Sequence, residues 1–204
     1  MQTNYEIYLN HKLQDPKFKK SYDREIDKLW IHESNLIEGI DSSSMDILSM
    51  RAWRKLKDRK LFTLRNILIC HKHIVGNESW AGKLRTCNVT VGNHKPMDYS
   101  FVRKSMLRWV SKFHNAQTEE FIQKAHIEFE IIHPFQDGNG RTGRMVMNWQ
   151  RIKAGLEPLI LLASERQEYY AWFRTEQQEQ TRSQQVAYLA SGSLMNYDTW
   201  CKTR

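Results

Sequence analysis

Apolar residues recur at helical intervals along most of the chain. A first helix is predicted over residues 21–39, where apolar positions fall three or four apart and Gly39 follows as a stop signal. A second helix, capped by Ser44, is predicted to run through the basic stretch at 51–60. A third is predicted over 61–75, ended by Gly76. The first half of the chain is therefore predicted to be helical.

The second half continues the helical pattern with one ambiguous segment. Apolar residues from Phe101 to Phe113 keep helical spacing. Residues 118–133 contain a strand-like alternation, but fifteen or so residues is long for a strand, and Thr118 suits a helix N-cap. We therefore predict a helix there, another over about 140–154 ended by Gly155, and further helices towards the C-terminus.

One stretch departs from this pattern. Val89, Thr90 and Val91 are β-formers flanked by Gly, Asn and Pro between residues 81 and 98. They are the best strand or hairpin candidate. The predicted fold class is thus mainly α with one small β-hairpin.

Composition narrows the class of protein. A length of 204 residues with 40% hydrophobic residues fits one globular domain. Three scattered cysteines without zinc spacing, no signal-like start and no long apolar run favour a reduced, cytoplasmic protein without a membrane span. A secreted or translocated effector stays an alternative. The net charge of +8 permits nucleic-acid binding, but no nucleic-acid motif accompanies it, and a solvated helix face explains the basic stretch better.

The densest chemistry lies between His133 and Arg144, in "HPFQDGNGRTGR". Its glycines spell G-x-G-x-x-G, but the segment before them is predicted to be helical, which argues against a dinucleotide-binding βαβ unit. No Lys-Ser or Lys-Thr follows the glycines, which excludes a P-loop. Gly143 completes the G-x-G-x-x-G pattern, and we predict no functional role for it.

The residue types nevertheless suit a metal–polyphosphate site. Gly138 and Gly140 allow a backbone anion nest at a helix N-terminus. Arg141 and Arg144 share a helix face and provide two guanidinium forks. Asp137 can hold a divalent cation, and His133 can accept a proton. Taken singly, each feature also fits an ordinary turn, solvated arginines or a structural histidine.

This stretch resembles the signature of the Fic family, H-x-F-x-[D/E]-G-N-G-R-x-x-R, at every defined position. Neighbouring segments, including "GKLRTCNVTVG" and "AGLEPLIL", extend the resemblance over roughly residues 20–180. It implies a Fic-type helical bundle with a small β-hairpin flap. It also suggests an N-terminal segment at 1–40, a core at 41–185 and a tail at 186–204.

Fic proteins typically transfer AMP from ATP to a hydroxyl side chain of a target protein. The resemblance implies that His133 is the general base and that Asp137 binds Mg²⁺, with Mn²⁺ as an alternative. The nucleotide's phosphates would be held by Gly138, Asn139, Gly140, Arg141 and Arg144, with Asn139 at the α-phosphate, Arg141 at the β-phosphate and Arg144 at the γ-phosphate. Phe135 would anchor the loop in the core.

Three further segments take their meaning from the resemblance. Val89, Thr90 and Val91 fall in the flap, which docks the target's main chain by strand addition. Tyr170 falls where an aromatic ring stacks on adenine. Gln177 falls where related proteins often carry Asn, so the adenine contact differs there.

The segment "SNLIEG" resembles the Fic inhibitory motif at Ser34, Glu38 and Gly39. In that family the glutamate pairs with the second signature arginine, here Arg144. Its carboxylate would occupy the fork meant for the γ-phosphate and repel ATP. A helix end capped by Gly39 is the structural alternative.

The leading hypothesis is therefore an autoinhibited protein adenylyltransferase. Its substrate is a target protein with a hydroxyl side chain, and the enzyme itself is a possible second substrate. Alternatives are removal of AMP with the help of Glu38, transfer of UMP, phosphate or phosphocholine, and a non-enzymatic nucleic-acid-binding module. The sequence leaves a homo-oligomer open and does not reveal the target or the trigger that releases Glu38.

Overall fold

The computed structural model describes residues 3–92 and 95–174. Eight α-helices follow one another along this part of the chain, with a short 3₁₀ helix at Ala163–Glu165 before the last. They are α1 (Asn4–Lys12), α2 (Pro16–Ile37), α3 (Ser43–Lys57), α4 (Leu64–Val75), α5 (Tyr99–Phe113), α6 (Glu119–Ile132), α7 (Asn139–Lys153) and α8 (Arg166–Ala171). The prediction of a mainly α fold is confirmed.

Helix α7 lies at the centre of the fold. Its side chains are buried almost without interruption from Asn139 to Arg151. Helices buried all round, rather than along one stripe, occupy the interior of a domain. α6 packs along α7, and α2, α3 and α4 cover its other sides. The core contains fully buried Trp149 of α7 and Trp53 of α3.

The helix ends largely follow the sequence signals. Thr118 accepts a hydrogen bond from the Phe121 amide and caps α6. Gly39, Gly76 and Gly155 have positive φ angles of 73°, 76° and 77° just beyond α2, α4 and α7. The prediction that Ser44 caps α3 is wrong by two residues, because Ser42 holds the extended N-cap position.

The basic stretch at 51–60 lies mostly on α3. Arg51, Arg54 and Lys55 are exposed, while Trp53 and Leu56 of the same helix are buried. The stretch is therefore the solvated face of an amphipathic helix. Within the described ranges, no helix is both long and apolar enough to cross a membrane.

The predicted strand is absent at Val89 and Thr90, which are irregular, and Val91 forms only a single β-bridge. The physical reason lies beside it. The Asn88 side chain donates to Asp98 and accepts from the Tyr99 amide at 2.9 Å each, so it ties this segment to the start of α5. The hairpin as a whole includes residues 93–94, outside the described ranges, and stays a prediction.

Candidate active site

A tight loop joins α6 to α7 and carries the histidine. α6 ends at Ile132, and His133 follows in the left-handed region with φ of 48° and ψ of 64°. It is the only non-glycine residue with positive φ in the described part of the chain. Such a conformation costs free energy in most residues and persists where the surroundings impose it.

The surroundings that impose it centre on Arg85. This buried side chain donates from Nε to the His133 carbonyl at 2.7 Å, and its own backbone amide donates to Pro134 O at 2.9 Å. Its remaining nitrogens donate to the carbonyls of Cys87, Met97 and Ile132. Arg85 thus links the backbone of His133 to both ends of the segment between Cys87 and Met97.

Phe135 anchors the loop from below, as the resemblance implies. Its ring is fully buried and stacks on His71 with centroids 3.7 Å apart and planes 3° apart. The Asn139 side chain closes the loop, accepting from the Phe135 amide at 2.8 Å and donating to its carbonyl at 2.9 Å. Asn139 therefore shapes the loop by bonding with both ends of its amide.

His71 fixes the loop at Asp137. Its Nδ1 accepts from the Gly82 amide at 2.9 Å, so in the neutral ring Nε2 carries the proton and donates to the Asp137 carbonyl at 3.0 Å. Burial lowers the pKa of His71 to about 4, which keeps the ring neutral.

An anion cradle follows at the start of α7. Gly138 has φ of 74° and precedes the helix, whose first amides and positive dipole end face this point. Arg141 is buried, and its Nε and Nη1 have no hydrogen-bond partner within the described residues. Its Nη2 lies 3.6 Å from Asp137 Oδ2. Buried donors without acceptors are costly, so the cradle suits an anion.

Asp137 has a side chain that is 69% exposed at the mouth of the cradle. In the described ranges, no cluster of three or more His, Cys, Asp or Glu residues could hold a metal by itself. A single carboxylate beside a phosphate site nevertheless fits Mg²⁺, which proteins commonly bind through one or two carboxylates plus the substrate's phosphates.

The second arginine of the stretch is fully engaged. Arg144 Nη2 donates to Glu38 Oε1 at 2.6 Å and to the Ser34 carbonyl at 2.8 Å. Nε donates to Ser34 Oγ at 2.8 Å, and Nη1 donates to Tyr169 Oη at 3.2 Å. Arg144 is 2% exposed. The two predicted phosphate ligands therefore differ: Arg141 has donors without a partner among residues 3–92 and 95–174, and Arg144 is occupied by its own chain.

Gly140 makes room for this arrangement. A Cβ added there would lie 2.2 Å from Glu38 Oε1 and 2.9 Å from Arg144 Nη1. The absent side chain thus leaves a space beside the cradle that Glu38 fills.

The structure therefore brings together His133, Asp137, the Gly138–Gly140 turn and Arg141, with Ser34 and Glu38 reaching the site from the end of α2. Tyr170 lies nearby, 39% exposed, with its hydroxyl 3.4 Å from the Ile37 carbonyl. Gln177 lies outside the described residues.

Sequence reasoning missed several contributors. Tyr169 contacts Arg144, and its hydroxyl lies 2.9 Å from His126 Nε2. Arg85 and His71 hold the loop through backbone groups. Gly143, which received no role, is close-packed: a Cβ there would meet Glu130 Oε1 at 2.2 Å. A glycine in the middle of a predicted helix was the one available signal, since it usually marks close packing.

Comparison with known proteins supports the resemblance to the Fic family. Residues 61–150 match the Fic/DOC family model. The chain is 32% identical over 152 residues to protein adenylyltransferase fic-1 of Caenorhabditis briggsae, covering 69% of this chain and 29% of that protein. It is 31% identical over 156 residues to protein adenylyltransferase Fic of Drosophila persimilis, covering 73% and 30%. The chain thus spans less than a third of the length of either relative.

Solved structures share the fold. Fic-1 from C. elegans superposes with a TM-score of 0.60 at 25% identity, covering 74% of this chain and 56% of that one. A Fic family protein from Desulfovibrio desulfuricans superposes with a TM-score of 0.64 at 21% identity, covering 84% and 62%. With the complete signature loop in place between α6 and α7, the chain contains a domain of the Fic/DOC family.

Proposed function

We propose that this chain transfers AMP from ATP to a hydroxyl group of a protein and that its own Glu38 holds it in a restrained state. The observation that carries the proposal is the contrast between the two signature arginines. Arg141 is buried with two donor atoms that have no partner in the described part of the chain, whereas every hydrogen-bonded nitrogen of Arg144 serves Ser34, Glu38 or Tyr169.

The cradle suits a nucleoside triphosphate. The turn at Gly138–Gly140 and the start of α7 offer amides to the α- and β-phosphates, and Arg141 offers its Nε and Nη1 donors to the β-phosphate. Asp137 would be the protein ligand for Mg²⁺ or Mn²⁺, which would neutralise phosphate charge. Arg144 lies one helical turn further on and would receive the γ-phosphate.

His133 supplies the base. The proton of the target hydroxyl passes to the imidazole, and the hydroxyl oxygen forms a bond to the α-phosphorus. The bond from the α-phosphorus to its bridging oxygen breaks, and pyrophosphate leaves. The imposed backbone of His133 keeps the ring at one place beside the cradle, which lowers the entropic part of the barrier.

Glu38 acts as a brake because its carboxylate occupies the position on Arg144 that the γ-phosphate of ATP would take. It bonds Arg144 and fills the space above Gly140, so a γ-phosphate on Arg144 would displace it. Two anions cannot share this fork without strong repulsion. ATP then binds without its γ-phosphate in place, and the α-phosphorus is not aligned for attack.

The target would dock beside His133. Val89, Thr90 and Val91 lie on the segment that Arg85 ties to the histidine, and Val91 is 41% exposed. A target main chain added along this segment would bring its hydroxyl side chain towards the loop. The same geometry accepts a hydroxyl of a second copy, which would give self-modification.

Removal of AMP from a modified target is a second candidate. It is favoured by the position of the Glu38 carboxylate, which is 35% exposed and lies beside the phosphate cradle, where it could hold a hydrolytic water. A pre-modified target incubated with the wild type and Glu38→Gly separates the two activities, since hydrolysis through Glu38 is lost in the variant.

The direct test is transfer of label from α-labelled ATP to protein in the presence of Mg²⁺. Glu38→Gly should raise labelling, and adding His133→Ala to it should abolish labelling. Glu78→Gly is the matched control, because Glu78 is an exposed glutamate outside the helices. Labelling that persists without His133 would refute the mechanism.

A further inference from the structure

A second carboxyl group lies beside the proposed base. Glu130, in the last turn of α6, places Oε2 4.0 Å from Nδ1 of His133, and the two side chains are only 14% and 16% exposed. Its other oxygen, Oε1, is buried without a hydrogen-bond partner among the described residues. Such a group is costly for stability, so its presence in the interior requires an explanation.

The neighbouring helix is built to admit this carboxyl. Gly143 of α7 faces Glu130, and a Cβ at that position would lie 2.2 Å from Oε1 and 3.0 Å from Cε1 of His126. Glycine inside a helix is less favourable than alanine. The chain therefore keeps an unfavourable residue in α7 at the place where the acid of α6 packs.

We propose that Glu130 is a positioning residue for His133, orienting the imidazole through Nδ1 and sharing the proton that the ring acquires during transfer. The proposal rests on the proposed function for its catalytic meaning. A carboxylate 4.0 Å from Nδ1 attracts the ring proton to that nitrogen by charge and leaves Nε2 as the lone-pair nitrogen, as in an acid–histidine–hydroxyl arrangement.

The proton balance is simple. In the form that can accept the hydroxyl proton, Glu130 is ionised, Nδ1 of His133 carries a proton and Nε2 is unprotonated. The target hydroxyl gives its proton to Nε2, and the nearby Glu130 carboxylate then stabilises the positive charge of the imidazolium. The hydroxyl oxygen bonds to the α-phosphorus while pyrophosphate departs. If the Glu130–His133 pair bound one more proton, that proton would occupy Nε2 or Glu130. His133 would then no longer act as the base.

The neighbouring charges determine the pH at which the Glu130–His133 pair loses this additional proton. Burial raises the pKa of Glu130 to about 8, with Arg144 lowering it and Glu38 raising it. The titratable and charged groups around it are His126 on its own helix, His133 just after that helix, Arg144 from α7, Tyr169 and Tyr170 from α8, and Glu38 at the end of α2. The pair is thus expected to lose its inhibitory proton on the alkaline side of neutrality.

The test compares Glu38→Gly with Glu38→Gly/Glu130→Gln, because glutamine keeps the shape and removes the charge. The labelling rate at saturating ATP should fall at least about tenfold, part of the roughly 10²–10⁴-fold that a general base contributes. The KM for ATP should stay within about twofold, and the acid limb of the pH–rate profile should move to lower pH. A merely structural role would change KM and leave the limb in place.

Gly143→Ala provides an independent check. It should slow labelling much more when Glu130 is present, because the added methyl displaces the carboxyl, than in a Glu130→Ala background, where only the approaches to His126 and Phe129 at 3.0 Å remain. An equal loss in both backgrounds would overturn the pairing.

A readout without catalysis separates this inference from the proposed function. An NMR titration of the His133 ring should show its midpoint at lower pH in Glu130→Gln than in wild type. An unchanged midpoint overturns the inference even if labelling occurs. A shifted midpoint in a protein that labels nothing upholds the inference and refutes the proposed function.

Discussion

Arg144 Nη2 and Glu38 Oε1 lie 2.6 Å apart across 106 residues of sequence, and the arginine is almost completely buried. Removing one partner of a buried ion pair normally leaves an uncompensated charge and costs several kcal/mol. Here Ser34 and Tyr169 still bind Arg144, and the γ-phosphate would replace the carboxylate. Under the proposed function the pair is therefore a contact that ATP exchanges for its own γ-phosphate.

Ser34 should contribute to the brake in its own right. Its Oγ accepts from Arg144 Nε at 2.8 Å, and a hydrogen bond to a charged group is worth about 1.5–3 kcal/mol. Ser34→Ala should raise labelling to a level between wild type and Glu38→Gly, measured with α-labelled ATP. Ser49→Ala is the matched control: Ser49 is also buried and bonds α2 through Asn35, but not Arg144. Equal effects of the two substitutions would argue against a specific contact.

Arg85 should support the rate of transfer without binding ATP. Lysine keeps the charge but cannot span the carbonyls of His133, Cys87 and Met97, so the histidine loses its fixed position. In a Glu38→Gly background, Arg85→Lys should lower kcat by about tenfold to a hundredfold, as small misplacements do. The KM for ATP should be nearly unchanged. Arg65→Lys is the control, because Arg65 is an exposed residue of α4, and a selective rise in KM for ATP would contradict the positioning role.

The buried His126 predicts a pH-dependent loss of stability. Burial, and then Arg144, lower its pKa to about 3 in the folded state. The unfolded chain has a histidine pKa near 6.5 and binds a proton that the folded state refuses. Stability is therefore complete above about pH 6.5 and declines as the pH falls towards 3.

His126→Gln should remove this dependence because glutamine does not titrate. Between pH 7 and pH 5 the free energy of unfolding of the wild type should fall by about 2 kcal/mol relative to the variant. Urea unfolding at the two pH values measures the difference. A constant difference would show that His126 protonates in the folded state.

Much of the fold could be predicted from the sequence, because helix signals are local. The spacing of apolar residues and the Thr118 cap identified α6 even though part of it alternates like a strand. The Val89–Val91 stretch shows the limit of such signals. β-propensity depends on a neighbouring strand, and the Asn88 contacts to the start of α5 held this segment in irregular conformation instead.

The site was only partly predictable. Its phosphate-binding loop is contiguous and therefore visible in sequence, and the resemblance linked Glu38 to Arg144. Arg85 was not visible, because its partners are backbone carbonyls that any residue could provide. Tyr169 and Glu130 were not visible either, because their roles depend on how α8 and α6 pack on α7.

The measurement that tests the central claim most directly is the affinity for ATP compared with ADP, by calorimetry, in the wild type and Glu38→Gly. The two nucleotides differ by the γ-phosphate that Arg144 should receive. With Glu38 in place, ATP should bind no more tightly than ADP. In Glu38→Gly, ATP should gain at least about tenfold over ADP, as expected for a buried charge-assisted contact. An ATP-to-ADP ratio that is the same in both proteins would contradict competition between Glu38 and the γ-phosphate for Arg144.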